Sequence, residues 1–195
     1  MSSAIATQNT TRELPYRGKV GMACLIAGES AIFTIFVVAY LFYIGKSLSG
    51  PTPRDVLEPP LFYSVCLLSS SLTIHLAVKS LSRGSFSRFL AFWFFTILLG
   101  GLFLFGTARE WHSLIYDHGL KISTNLFGTT YYSLVGLHGF HVCAGLLMLG
   151  LTLLLALFGQ VRHEHIPKLD VLAMYWHFVD SVWVVVFTVV YVIGR

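Results

Sequence analysis

Long uninterrupted apolar runs dominate the chain, and short polar stretches punctuate them. Val20 to Ile44, Leu61 to about Val78, Phe89 to about Gly106, Phe127 to Phe158 and Val171 to Ile193 each carry few or no charges. A helix needs about 20 apolar residues to cross a 30 Å hydrocarbon layer. The pattern therefore predicts an all-α integral membrane protein, a bundle of five transmembrane helices. Residues 1–19 are polar and lack the apolar core and small-residue cleavage site of a secretory signal, so they read as a short tail. Pro51, Pro53, Pro59 and Pro60 break the chain after the first run. Lys79 to Arg88 is a short basic connection. Thr107 to Leu126 and Gly159 to Asp170 read as polar loops, the second containing His163-Glu164-His165.

Composition agrees with the pattern. Charged residues make up 11% of the 195-residue chain and mean hydropathy is +0.74, against about 25% charged in an ordinary soluble domain. The net charge of +4 is spread over the connections without a basic stripe, which excludes a nucleic-acid partner. Cys24, Cys66 and Cys143 lie inside apolar runs with no CxxC spacing, and read as buried small hydrophobes. More Lys and Arg fall on the side of the N-terminal tail (Arg12, Arg17, Lys19), the basic connection (Lys79, Arg83, Arg88) and the last loop (Arg162, Lys168). The other side has Lys46, Arg54, Arg109, Lys121 and Arg195. The positive-inside rule then puts the N-terminus in the cytoplasm and the C-terminus outside. Tyr40, Tyr43, Trp111, Tyr116 and Tyr191 would form an outer aromatic belt.

Against this apolar background a few ionisable residues stand out. Glu29 lies about 13 Å into the first span. His138 and His141 lie near the middle of the fourth, and His177 and Asp180 lie in the fifth. Charge at such depth costs about 2.5–3.5 kcal/mol on insertion scales, so these groups need partners. Leu134, His138, His141 and Gly145 follow one helix face, and Gly145 lets a neighbouring helix approach. Gly21 and Gly28 mark a similar small stripe beside Glu29. Trp176, Asp180 and Trp183 share a face, and His177 and Asp180 are close enough to bond within their helix. Glu29 is expected to meet His141 or His138 across a helix interface, either as a proton-handling group or as an interhelical bond. A haem or metal role for the histidines is the alternative, although no Cys or carboxylate stands beside them at ligand spacing. Arg109 and Glu110 read as a local ion pair or a lipid-headgroup contact. Lys79, Arg83 and Arg88 read as contacts to anionic headgroups. Tyr131 and Tyr132 read as packing or lipid-facing surface.

These motifs together resemble subunit III of the haem-copper oxidases over nearly everything after residue 18. Gly21-Met22 leading to Gly28-Glu29-Ser30 resembles the family helix that carries a buried, carbodiimide-reactive glutamate. Thr107-Ala-Arg-Glu110-Trp111 resembles a Q-A-x-E-[YW] segment, with Thr107 in place of Gln. Gly128-Thr-Thr-Tyr-Tyr followed by His138-Gly-Phe-His141-Val-x-x-Gly145 is similar to the family signature, with Leu137 departing from it. Tyr175-Trp-His-Phe-Val-Asp180-x-Val-Trp183 is similar to its final motif. The resemblance implies the short bacterial form, lacking the first two of seven helices. It implies a non-catalytic subunit in the bacterial cell membrane that packs on oxidase subunit I beside subunit II. Other respiratory complexes are further candidate partners. Haem and copper would lie in the partner subunits, with structural phospholipids held by this chain. Trp176, Trp183, Arg109, Glu110, Lys79, Arg83 and Arg88 would serve lipid or interface contacts. Glu29, His138, His141, His177 and Asp180 would serve proton handling or buried bonding, and none would bind metal. Glu29 favours the cytochrome c oxidase branch; a quinol oxidase subunit III and a nitric-oxide-reductase-associated relative are the alternatives within the family. From another class, an independent haem or metal membrane protein would use His138, His141 and His177.

Overall fold

A computed structural model describes residues 17–47 and 50–194, with only the backbone of Arg54 and Asp55. The expected tail up to residue 16, with Arg12, and the charges of Arg54 and Arg195 lie outside the described residues. The elements are α1 (Arg17–Tyr43), a single turn α2 (Pro53–Val56), α3 (Leu61–Ser82), α4 (Phe86–Tyr116), α5 (Leu126–Leu157) and α6 (Ile166–Phe187). A 3₁₀ turn, His163–His165, precedes α6, and a π-helical stretch, Thr188–Ile193, extends it. Five of these segments are long and apolar enough to cross a membrane, as the hydrophobic pattern predicts.

The helices run past the apolar cores that announced them. α4 continues to Tyr116, so Arg109, Glu110, Trp111 and His112 are helical rather than part of a loop. No Gly or Pro interrupts Thr107 to Tyr116, and the helix stops only where Asp117 caps it ahead of Gly119 at φ +65°. Likewise α3 runs on to Ser82, and α6 starts at Ile166 rather than Val171. Pro167 initiates α6 instead of breaking it, because a first-turn proline forfeits no helical hydrogen bond. α1 begins at Arg17, taking Lys19 into its first turn.

The tight α3–α4 turn needs the left-handed backbone of Gly84 (φ +74°), whose N–H bonds the Leu81 carbonyl at 3.0 Å. Asn125 caps α5, its side chain accepting from the Gly128 N–H at 2.8 Å. α3 and α4 form the most extensive pair. α5 lies against α1, α4 and α6, while α6 lies against α1, α3 and α5. The centre is aromatic: Trp93, Trp176, Trp183, Phe103 and Tyr131 are fully buried.

α1 stands at the edge. Only Phe33 and Tyr40 of its 27 residues are buried. Nothing lies within 4 Å of where side chains at Gly21 or Gly28 would project, so this small-residue stripe receives no helix of the described chain. The aromatic belt is also redistributed. Tyr40 and Tyr191 turn into the bundle, whereas Tyr116 is 74% exposed. Cys66 is buried, but Cys24 and Cys143 face outward. In hydrocarbon a thiol loses little by such exposure, so apolar runs do not predict which face it takes.

Candidate functional site: a polar seam through the bundle

The seam begins where α1 meets α5. Glu29 Oε2 lies 3.1 Å from His141 Nε2. The other ring nitrogen, Nδ1, is 2.8 Å from the Leu137 carbonyl one turn earlier. A carbonyl only accepts, so Nδ1 carries the hydrogen. Two arrangements remain for the far side: an imidazolium facing a carboxylate, or a neutral ring accepting from a carboxylic acid. In both, one proton sits between His141 and Glu29. The pair is not sealed, since the Glu29 side chain keeps 24% of its surface exposed. Tyr175 donates its hydroxyl to the His141 carbonyl at 3.1 Å, and Phe33 lies 5.0 Å from the imidazole. Of the two histidines expected to reach Glu29, His141 is the one that does.

His138 has a different environment. It stacks on Trp183 at 5.1 Å, with the edge of Phe103 at 5.8 Å and of Phe33 at 6.5 Å. Neither of its ring nitrogens has a hydrogen-bond partner among the described residues. It shares a face with His141 and Gly145, as the spacing implies, but contributes packing to the seam rather than a bond.

The next group joins α3 to α6. His177 and Asp180 do not bond each other directly, as their spacing had suggested. Ser71 of α3 bridges them: its hydroxyl donates to Asp180 Oδ2 and lies 2.9 Å from His177 Nδ1. A hydroxyl has one hydrogen, so His177 Nδ1 must be the donor in the second bond. Ser71 bonds one atom of each side chain at once, while Asp180 Oδ1 has no hydrogen-bond partner among the described residues. Two more serines of α3 receive the buried indoles of α6. Trp176 Nε1 bonds Ser70 Oγ at 2.8 Å and Trp183 Nε1 bonds Ser64 Oγ at 3.1 Å. The serine-rich character of the second span is visible in the sequence. The face shared by Ser64, Ser70 and Ser71 could have been matched to Trp176, Asp180 and Trp183.

Close approach of the helices depends on glycine. A side chain at Gly145 would start 2.7 Å from the Trp176 ring, so α5 and α6 meet there as the stripe predicted. Gly100 faces the same indole from α4 at 2.9 Å.

At the far end, Glu110 accepts from Tyr191 at 2.7 Å and from Tyr131 at 3.1 Å, through the same oxygen. This replaces the expected surface pair with Arg109. Once α4 is extended, Glu110 lies against α5 and the π-helical end of α6, while Arg109 is exposed. Tyr132 donates to the Leu120 carbonyl at 2.8 Å. At the opposite end Lys79, Arg83 and Arg88 are exposed around the α3–α4 turn, and Lys19 pairs with Asp170 at 3.1 Å, tying α1 to α6.

Among the described residues, no three His, Cys, Asp or Glu side chains are grouped so as to hold a metal ion. Both ring nitrogens of His141 and Nδ1 of His177 are hydrogen-bonded, and His138 is packed between aromatic rings.

Comparison with known proteins assigns this architecture. The family model described as cytochrome c oxidase subunit III matches residues 16–195. The cytochrome c oxidase subunit 3 of Alkalihalophilus pseudofirmus is 35% identical over 177 residues, covering 90% of this chain and 86% of the relative. That of Bacillus subtilis is 30% identical with the same coverage. The cytochrome bo(3) ubiquinol oxidase subunit 3 of Pseudomonas aeruginosa is 34% identical over 169 residues, 85% of this chain and 80% of the relative. By this match over nearly its whole length, the chain belongs to the cytochrome c oxidase subunit III family.

Proposed function

We propose that this chain is the non-catalytic third subunit of a proton-pumping terminal oxidase that passes electrons from cytochrome c to oxygen. On this reading it packs on subunit I beside subunit II, which hold the haem and copper, and it carries structural phospholipid. It also supports proton delivery to subunit I. The observation that carries the reading is the Glu29–His141 pair, which shares one proton at a partly open helix interface. A purely structural bond would serve as well between two neutral amides; an acid and an imidazole can also exchange the proton. The exposed basic cluster at the α3–α4 turn supports a cytoplasmic N-terminus in a bacterial cell membrane and contact with anionic headgroups.

The test is purification in mild detergent through a tag on this chain, followed by a visible spectrum and mass spectrometry of the co-purifying chains. A haem-bearing complex is expected, with the absorbance lost from this chain when it is stripped of partners. A lone chain that keeps its own haem or metal overturns the reading. The similarity to a ubiquinol oxidase subunit favours a second reading in which quinol is the electron donor. Oxygen uptake by the purified complex with reduced cytochrome c or with a quinol separates the two.

A further inference from the structure

The extension of α4 past Gly106 has a second result. Its last three turns, the start of α3 and residues 56–60 enclose an open cavity of about 760 Å³, within the range of about 300–1,000 Å³ typical of small-ligand sites. Gly106 lets the wall close: a side chain there would start 2.3 Å from the Tyr63 ring. The polar lining is Glu58, Arg109, Glu110, Ser113 and His118. Neither Arg109 nor Glu58 forms an ion pair among the described residues. His118 Nδ1 lies 3.3 Å from the Ser113 carbonyl and so donates to it. Beside these polar groups the cavity wall includes Leu61 and Phe62, which are 62% and 68% exposed.

The cavity is thus polar at one side and apolar at the other, at the C-terminal end of a helix long and apolar enough to cross a membrane. Its described groups are of mixed sign, with the carboxyls of Glu58 and Glu110 beside the Arg109 guanidinium. An anionic ligand would meet more repulsion than attraction, and a purely cationic one would leave Arg109 unpaired. A ligand with both a phosphate and an ammonium suits the set, and carboxylates favour an ammonium that retains N–H donors.

We propose that this cavity is a headgroup site for a zwitterionic aminophospholipid of the phosphatidylethanolamine type. Its phosphate lies on Arg109, its ammonium on Glu58 and Glu110, and an acyl chain runs over Leu61 and Phe62. The proposal names a site and a lipid class for the lipid-holding role proposed above, and rests on that reading.

The experiment uses the full chain, with its partners, purified in mild detergent and exchanged into phosphatidylcholine nanodiscs. These are doped with phosphatidylethanolamine or with phosphatidylglycerol, and retained lipid is counted by native mass spectrometry. One phosphatidylethanolamine per chain is expected to survive, in preference to the other two lipids. Arg109→Gln and Glu58→Gln should each lower its retention about tenfold, the loss of one charge-assisted hydrogen bond. Lys79→Gln, at the opposite end of the bundle, should not. Unchanged retention in both variants, or equal retention of phosphatidylglycerol, overturns the site. Displacement by excess glycerophosphoethanolamine would mean a soluble phosphate-ester site and overturns the lipid. The visible spectrum of each sample separates the two claims. Haem retained without the lipid preference sinks only the headgroup site, and the preference without haem sinks only the oxidase assignment.

Discussion

Ser71 joins two ionisable side chains that would otherwise be stranded in the bundle, yet as a residue type it draws little notice. Removing its hydroxyl leaves Asp180 Oδ2 and His177 Nδ1 without a partner. Each unsatisfied buried group costs about 1–3 kcal/mol. Ser71→Ala is therefore expected to lower the melting temperature of the detergent-solubilised protein clearly. Ser69→Ala, two residues away and exposed, should stay within about 0.5 kcal/mol of the parent. At Glu29 the expected split is between assembly and turnover. Glu29→Gln keeps a side chain that can bond His141 but loses the transferable proton. Assembly with partner subunits should survive and proton-coupled oxygen reduction should slow, read as oxygen uptake per haem. Loss of assembly would instead mark the contact as structural. The contrast between the two sites explains what was legible in advance. Glu29, His141, His177 and Asp180 declare themselves because ionisable residues are costly at that depth. Serine in an apolar helix is cheap, since it can bond the preceding turn, as Ser64 does to the Pro60 carbonyl at 2.8 Å. Its cross-helix role therefore leaves no anomaly in the sequence.

Among the elements, the glycines of α4 and α5 set how closely the aromatic last helix can be approached. Gly145→Leu must displace the Trp176 ring, which is also bonded to Ser70. Overpacking of this kind costs about 1–3 kcal/mol or more. Gly21→Leu, with nothing within 4 Å, should be close to neutral when the chain is measured alone. Thermal unfolding of the two variants side by side in detergent checks this, and equal losses would show that α1 packs more closely than described. The spans themselves were legible because apolar length is a strong signal. Their ends were not. Thr107 to Tyr116 contains polar residues in a helical segment with no breaker, and hydropathy alone registers the polarity but not the continuity. That one misplaced boundary hid both the Glu110–Tyr131–Tyr191 cluster and the cavity beside it.

Over the whole molecule, two polar pins join α1 to the bundle beside the packing of Phe33 and Tyr40. One is Lys19–Asp170, with half-exposed partners, and the other is Glu29–His141. An exposed ion pair contributes up to about 1 kcal/mol, so Lys19→Gln alone should shift unfolding little. Lys19→Gln combined with Glu29→Leu removes both pins. Backbone hydrogen exchange in residues 17–43 should then quicken while that of 166–187 stays slow. Equal protection in both segments would show that apolar contacts suffice to dock α1.

The distance along the chain between the partners of each pin has a consequence for biosynthesis. Glu29 is 112 residues from His141, and Lys19 is 151 residues from Asp170. At about 5–20 residues per second, Glu29 leaves the ribosome roughly 6–22 s before the imidazole that bonds it. Through that interval the nascent chain carries an orphan acid into the bilayer. The first helix must therefore wait near the translocation machinery, or be shielded by it, until α5 arrives to close the bundle.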